Sequence, residues 1–305
     1  MTGRGARNAS QGDKARRPHV HAAMQTTSGE AAGITTWHTS PREAASSLWH
    51  HRQLIWQLAK REVIGRYRGS IGGLLWSFLN PLLMLAVYTL VFSVVFKARW
   101  SPASDSRTEF AILAFAGMIV HGIFAEAVNR APTLILGNVN YVKKIVFPLE
   151  ILPSVALGSS LFHASVSIAV LLIFESLVYR ALPATGLLAP FVLLPLVFYS
   201  IGVSWFLSSL AVYIRDVAQT TGLITSVLMF TSPVFYPSSA LPERYQPLLY
   251  LNPLTLVIEQ FRDVVIWGRM PDWKATSLSL ALSLAVAWLG FAWFQKTRRG
   301  FADVL

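Results

Sequence analysis

Six stretches of the chain are apolar over the length a membrane helix needs, about 20 residues for a hydrocarbon core about 30 Å thick. They cover residues 75–96, 110–128, 155–179, 187–213, 217–235 and 277–294. The fourth carries Pro190 and Pro195, which predicts a kinked or interfacial start. Ahead of all six, Leu48, Trp49, Ile55, Trp56, Ala59, Val63 and Tyr67 fall on one side of a helical wheel. Arg52 and Arg66 lie in the same stripe, and long basic side chains reach headgroups while their stems stay among apolar groups. Residues 48–67 therefore read as an amphipathic helix lying in the membrane interface, with an ordinary packed helix as the plainer alternative.

Two connections between the apolar runs stand out. Residues 138–148, NVNYVKKIVFP, place a polar turn, two adjacent lysines and a closing proline between the second and third runs. Residues 237–274 are long for a link between neighbouring spans and carry helical patterning of their own. Asn252 before Pro253 reads as an N-cap with proline in the first turn. Leu254, Val257, Ile258, Phe261 and Val265 then repeat at helix spacing, with Glu259, Gln260, Arg262 and Asp263 on the other side. A shorter helix fits residues 241–251. Too apolar for a solvated loop and too short to span twice, the pair predicts helices that dip into the outer leaflet.

Charge changes the picture by its placement. Only 13% of residues are charged and 53% are hydrophobic, against about a quarter charged in a soluble domain. The net charge of +11 would suit nucleic acid or an anionic membrane surface. With six spans, however, 18 of the 26 Lys and Arg fall on the face that carries both termini and 8 on the other. That asymmetry predicts cytoplasmic termini and explains the excess charge without nucleic acid; Arg61, Arg66 and Arg68, beside the first run, are its most local witnesses. Residues 1–46 are rich in small and polar residues and are expected to form a disordered cytoplasmic tail, with Arg4, Arg7, Arg16 and Arg17 either solvated or touching anionic lipid. The membrane domain then occupies residues 47–305. Cysteine is absent, which removes disulfides and thiolate metal sites.

The chain has no G-x-x-x-x-G-K-[ST] and no H-E-x-x-H, so it is expected to hold neither ATP nor a metal cofactor of its own. The absence of a close carboxylate cluster also counts against a membrane-bound transferase. Ionisable residues in the runs are His121, Glu126, His163 and Glu175, each a functional candidate because charge in lipid is costly. The two histidines are expected to be packed and hydrogen-bonded, and the four form no connected set suited to proton coupling. Trp76, Phe78, Tyr88, Phe92 and Phe96 on the first run, with Phe230, Phe235 and Tyr236 on the fifth, are candidates to line a glycan route by stacking on sugar rings, much as aromatics stack on bases. Interfacial belts use the same residues. Tyr213, Arg215 and Asp216 close the fourth run at a cytoplasmic turn, where a local ion pair would account for them.

The order of these features resembles the transmembrane subunit of ABC-2 type exporters, in the branch that exports lipid-linked polysaccharide such as O-antigen. The resemblance rests on RYRGSIGGLLWSFLNPLL (66–83), NYVKKIVFPLEILP (140–153), YIRDV (213–217), the segment from SPVFYP through NPLTLVIEQFRDVVIWG (232–268), and RRGFADVL (298–305). It implies an all-α integral membrane protein of the bacterial inner membrane, with six transmembrane helices, an N-terminal interface helix and re-entrant helices at 241–267, including Asn252, Pro253, Glu259, Phe261, Arg262 and Asp263, near the exit. It also implies a homodimer enclosing a channel and two copies of a separate cytoplasmic ATPase, which bind ATP and magnesium. The loop Tyr141, Val142, Lys143, Lys144, Ile145, Val146, Phe147 would receive the ATPase motion. Teichoic-acid and capsule exporters share this layout, and small-molecule efflux permeases are a further alternative. The first 46 residues go beyond the family's usual pattern.

Overall fold

A computed structural model of the chain describes residues 40–96, 100, 107–143, 147–180 and 182–305. The expected disordered tail, apart from residues 40–46, lies outside them. So do Lys144, Ile145 and Val146.

Ser40 opens the described chain as a helix cap: its hydroxyl accepts from the Glu43 amide while the Glu43 carboxylate accepts from the Ser40 amide, a reciprocal capping box. Helix α1 (Pro41–His50) follows and breaks at His51, and α2 (Arg52–Tyr67) resumes. The predicted single interface helix is thus two. Its stripe also divides, because Ala59 and Val63 are buried whereas Trp49 and Trp56 are 72% and 71% exposed.

The first apolar run forms α3 (Leu75–Tyr88), continued by a π-helical segment at Thr89–Val95. Next come α4 (Arg107–Leu136) and the single turn α5 (Val139–Val142). A 3₁₀ turn, Leu149–Ile151, leads into α6 (Leu152–Tyr179). A second one, Ala184–Leu188, precedes α7 (Ala189–Tyr213), with Pro190 in the first turn of α7 and Pro195 inside it. Pro190 therefore starts the helix rather than kinking it, as its missing N–H allows. The remaining helices are α8 (Val217–Thr231), the single turn α9 (Gln246–Leu249), α10 (Pro253–Val265), α11 (Trp273–Thr297) and the short α12 (Phe301–Val304).

Among the described residues all regular structure is helical, and five stretches are long and apolar enough to cross a membrane. The fifth predicted run is the exception, because α8 stops at Thr231 after 15 residues. There the buried sequence Ser232–Pro233–Val234 leaves the helix. Residues 241–251 likewise give only one 3₁₀ turn, Glu243–Tyr245, and α9 instead of one helix.

Helix α4 is the centre: 78% of an 18-residue apolar window within Thr108–Leu136 is buried, against 11% of Leu75–Phe92. It packs on α6, α7, α8 and α10. Helices α7 and α11 make the other close pair, where Gly202 and Gly290 meet backbone to backbone. Small residues allow such approach in a membrane, where apolar burial alone drives little association.

Contacts sort the helix ends into two groups. Tyr213 Oη donates to the Thr297 carbonyl at 2.7 Å, Arg298 reaches Phe147, and Ser47 reaches Glu150. The start of α6, the ends of α7 and α11, and α1 therefore share one end with residues 138–148. At the other end, Arg262 reaches Leu113 and Thr185 reaches Val264.

Candidate functional site

The 138–148 connection is held from both sides. Asn138 Nδ2 donates to the Leu134 carbonyl at 2.8 Å, which stops α4, and α5 follows. Tyr141 stacks on Phe147 with ring centroids 4.2 Å apart and planes 13° from parallel. Tyr141, Val142 and Phe147 thus turn inward against the core, while Lys143 is exposed. Behind the loop, Arg61, Glu62, Arg130, Asn138 and Tyr141 surround a polar cavity of about 270 Å³, and Arg130 pairs with Glu62 across it.

Glu150 fixes the far side. Its carboxylate accepts from Arg298 Nη1 at 2.7 Å and from Ser47 Oγ at 2.9 Å, and its carbonyl accepts from Trp205 Nε1 at 2.8 Å. Arg298 also donates through Nη2 to the Phe147 carbonyl at 3.2 Å. One residue therefore ties the loop to three neighbours, its buried carboxylate to α1 and the C-terminal segment and its backbone carbonyl to α7. Sequence patterning missed it, since Glu150 sits outside the apolar runs among ordinary loop residues. Its signal was the sequence PLEILP, where a lone acid between proline and aliphatic residues must find a cation when buried.

Arg215 and Asp216 form no ion pair with each other and are exposed. The expected local pair is absent, and the turn is pinned instead by Tyr213, which lies against Gly300: a Cβ there would stand 2.6 Å from the Tyr213 hydroxyl.

Two of the ionisable residues in the apolar runs, Glu126 and His163, meet Arg66 from α2. Arg66 Nη2 lies 2.5 Å from Glu126 Oε1, and His163 Nδ1 lies 3.1 Å from Arg66 Nη1 and 3.2 Å from the same carboxylate oxygen. Nδ1 can serve only one of them, accepting from Arg66 or donating to Glu126 according to its tautomer. The cluster borders a cavity of about 440 Å³ between α2, α3, α4 and α6 that also shows Asn80 and Tyr88. His121 stands apart, with Nε2 3.0 Å from the Thr225 carbonyl, as a packed histidine should. Glu175 lies at the other end of the molecule.

Of the aromatic candidates, Tyr88, Phe92, Phe230 and Phe235 form one cluster, with Phe92 5.8 Å and Phe230 6.3 Å from Phe235 by ring centroids. Tyr236 joins it through a hydrogen bond from its hydroxyl to the Phe230 carbonyl at 3.1 Å. Trp76 and Phe78 are exposed and stay outside.

In α10, Asn252 caps the helix as predicted, accepting from the Leu254 amide at 3.0 Å, and its Nδ2 donates to Ser232 Oγ at 2.8 Å. Phe261 is fully buried. The polar side is largely withdrawn from the surface at two positions, for Gln260 and Arg262 are 5% and 3% exposed. Arg262 donates to the carbonyls of Leu113, Pro233 and Val234 at 2.9, 2.6 and 2.8 Å. These bonds join α10 to α4 and to the turn that ends α8. Gly117 makes room for the guanidinium, since a Cβ there would stand 2.6 Å from Nη2. Gln260 accepts from Thr276 Oγ1 at 2.5 Å, tying α10 to α11. Asp263 pairs with Arg269 at 3.7 Å, and Tyr250 Oη donates to Glu259 at 2.9 Å. Burial, then this bond and the Glu259 charge, push the Tyr250 hydroxyl up to about 12.

Among the described residues no group of three or more His, Asp or Glu could hold a metal ion. The chain is 27% identical over 259 residues to the O-antigen export system permease protein RfbA of Myxococcus xanthus, covering 84% of this chain and 96% of that protein. It is 24% identical to an RfbA permease of Klebsiella pneumoniae, covering 83% and 95%. It is 27% identical to the capsule polysaccharide export inner-membrane protein CtrC of Neisseria meningitidis serogroup B, covering 83% and 94%. The profile of the ABC-2 type transporter family matches residues 53–266, well over half of the chain, and the chain belongs to that family.

Proposed function

We propose that this chain is the channel-forming, non-enzymatic subunit of an exporter that carries a lipid-linked polysaccharide, O-antigen-like, outward across the bacterial inner membrane, driven by a separate ATPase. The observation that carries this reading is near full-length similarity to permeases named for O-antigen and capsule export. In this proposal two copies of the chain and two ATPase subunits assemble, and ATP and magnesium stay with the partner. Both termini face the cytoplasm. Residues 138–148, with the Tyr213–Asp216 turn beside them at the same end, receive the ATPase motion. Supporting that role, the loop is braced on Glu150 and Arg298 yet presents Lys143 outward.

Exposed Trp49 and Trp56, with Arg52 4.9 Å from the Trp49 ring, support an interfacial placement for α1 and α2. Helix α8 then completes the sixth crossing with the segment after Thr231, while α9 and α10 enter and leave the outer leaflet. The cluster around Phe92 and Phe235 would offer ring faces to the glycan. Capsule export is a second reading, favoured by the equal identity to CtrC.

Deleting the gene should abolish surface polysaccharide and leave polymer inside the cell, and complementation should restore export. Charge reversal at Lys143 and Lys144 should lower export or ATPase association while membrane insertion persists. Unchanged export would remove the loop from the mechanism. Catalytic turnover by the isolated chain would favour a transferase instead.

A further inference from the structure

At the end away from the 138–148 loop, Glu109, Glu175, Tyr179, Pro183, Ile266 and Trp267 border a cavity of about 440 Å³. Glu175 is 1% exposed, and its Oε2 has no hydrogen-bond partner. A buried polar atom left unsatisfied is uncommon and requires a reason. Here the acceptor borders a cavity whose mouth carries Tyr179 and Trp267, 43% and 40% exposed. An interfacial aromatic belt alone does not explain the arrangement, because it gives no reason for a buried, unpartnered carboxylate oxygen beside the rings.

The walls are fixed by the backbone. Tyr179 ends α6, and Arg180 behind it adopts φ +56°, the one left-handed non-glycine residue among those described. That conformation caps α6, with the Arg180 N–H donating to the Ser176 carbonyl, and sets the direction in which the chain leaves the helix. Trp267 follows α10, and Gly268 behind it has φ +67° and faces Pro183, with Cβ space 3.5 Å from the Pro183 ring. Thr185 Oγ1 donates to the Val264 carbonyl at 2.7 Å, holding the two walls together. Arg269 lies 5.8 Å from the Trp267 ring.

Half-exposed rings beside carboxylates match a neutral sugar, whose C–H face is apolar and whose hydroxyls need acceptors. Anionic sugars would meet like charge. A cation would find two carboxylates and no third acidic or histidine ligand among the described residues.

We propose that this cavity is a subsite for a neutral sugar ring of the outgoing polymer, packed against Trp267 and Tyr179 with a hydroxyl bonded to Glu175. The proposal rests on the polysaccharide-export reading and adds a binding site at the opposite end from the ATPase loop.

The test places the photocrosslinker p-benzoylphenylalanine at Leu182, another residue lining the cavity, in the full permease with its ATPase, in cells that make the polymer. Irradiation should give a permease band carrying glycan-specific stain, and the same crosslinker at Trp56, at the other end, should not. Glu175→Leu should lower the adduct at least tenfold; Glu175→Gln, which keeps the shape and one carbonyl acceptor, should keep more than half. Absence of glycan adduct while polymer still reaches the cell surface would overturn the site, as would adducts to lipid alone or equal yield with Glu175→Leu. Surface polymer that persists after deletion of the permease gene would instead overturn the export reading, so the two failures are distinct.

Discussion

Removing the carboxylate of Glu150 should loosen three segments at once, and the effect can be sized. Glu150 and Arg298 form an ion pair at 2.7 Å with side chains 8% and 13% exposed. Truncating one partner of such a pair leaves the other buried and uncompensated, at a cost of about 3–5 kcal/mol. Arg298 keeps the Phe147 carbonyl at 3.2 Å, so Glu150→Ala should fall near the lower end, about 3 kcal/mol. Loss of the bond from Ser47 Oγ at 2.9 Å adds about 1 kcal/mol. Glu150→Gln keeps shape and one acceptor and should cost about 1–2 kcal/mol, the difference between charged and neutral hydrogen bonds. Arg298→Lys keeps the charge but not the fork that spans Glu150 and Phe147, and should resemble Glu150→Gln.

The assay is a double-mutant cycle over Glu150→Ala and Arg298→Ala, read by reversible unfolding of the purified permease in mixed detergent micelles. The pair should show a coupling energy of about 2 kcal/mol, because the second truncation removes a partner of an interaction that the first has already broken. Additivity within about 0.5 kcal/mol would show that the contact does not operate and would refute the reasoning. A second readout separates bracing from mere stability. With the ATPase present, Glu150→Gln should retain ATP hydrolysis while polymer exported per ATP falls, since the loop would yield instead of transmitting.

The other predictions concern α10 and α4. Gly117→Ala should crowd Arg262 out of its three carbonyls and cost about 2 kcal/mol or more, seen as a lower thermal midpoint; Gly122→Ala, one turn on with nothing within 4 Å of its Cβ, should be neutral or slightly stabilising. Arg262→Lys should leave at least one buried carbonyl unpaired and lower the midpoint comparably. Asn252→Ala should cost about 1 kcal/mol for the lost cap and about as much again for the lost hydrogen bond to Ser232, whereas Asn252→Asp should keep the cap.

Patterning found the long helices because their apolar runs are local and continuous. It placed the starts of α3, α7, α8 and α10 within two residues of their observed positions. It failed where tertiary contacts decide. The early end of α8 depends on Asn252 and Arg262, distant in sequence, and Val234 counts as apolar whether or not it continues a helix. The burial of Arg262 is invisible to patterning for the same reason: only its meeting with three carbonyls from residues 113, 233 and 234 makes burial tolerable. At the loop, composition singled out the lysines because they interrupt apolar sequence, while the bracing Glu150 and Arg298 lie 148 residues apart and carry no joint signal in one chain.

These polar ties bear directly on how motion could travel. In a bilayer, apolar side chains gain little by leaving lipid for protein, so helix contacts depend on close packing and on hydrogen bonds between helices. The ties on α4 are spread along its length: Leu113 accepts from Arg262 near one end, Glu126 accepts from Arg66, and Arg130 donates to Glu62 near the other. At 30 residues the helix is about 45 Å long and largely buried. A push at Asn138, where α4 gives way to the loop, therefore meets a stiff helix whose far end holds Arg262 and through it the turn after α8. The weak point is Pro132 in the last turns of α4, where a backbone hydrogen bond is missing. If α4 acts as a strut, stiffening that point with Pro132→Ala should preserve or raise export per ATP. A fall in export with unchanged stability would show that α4 works by bending there.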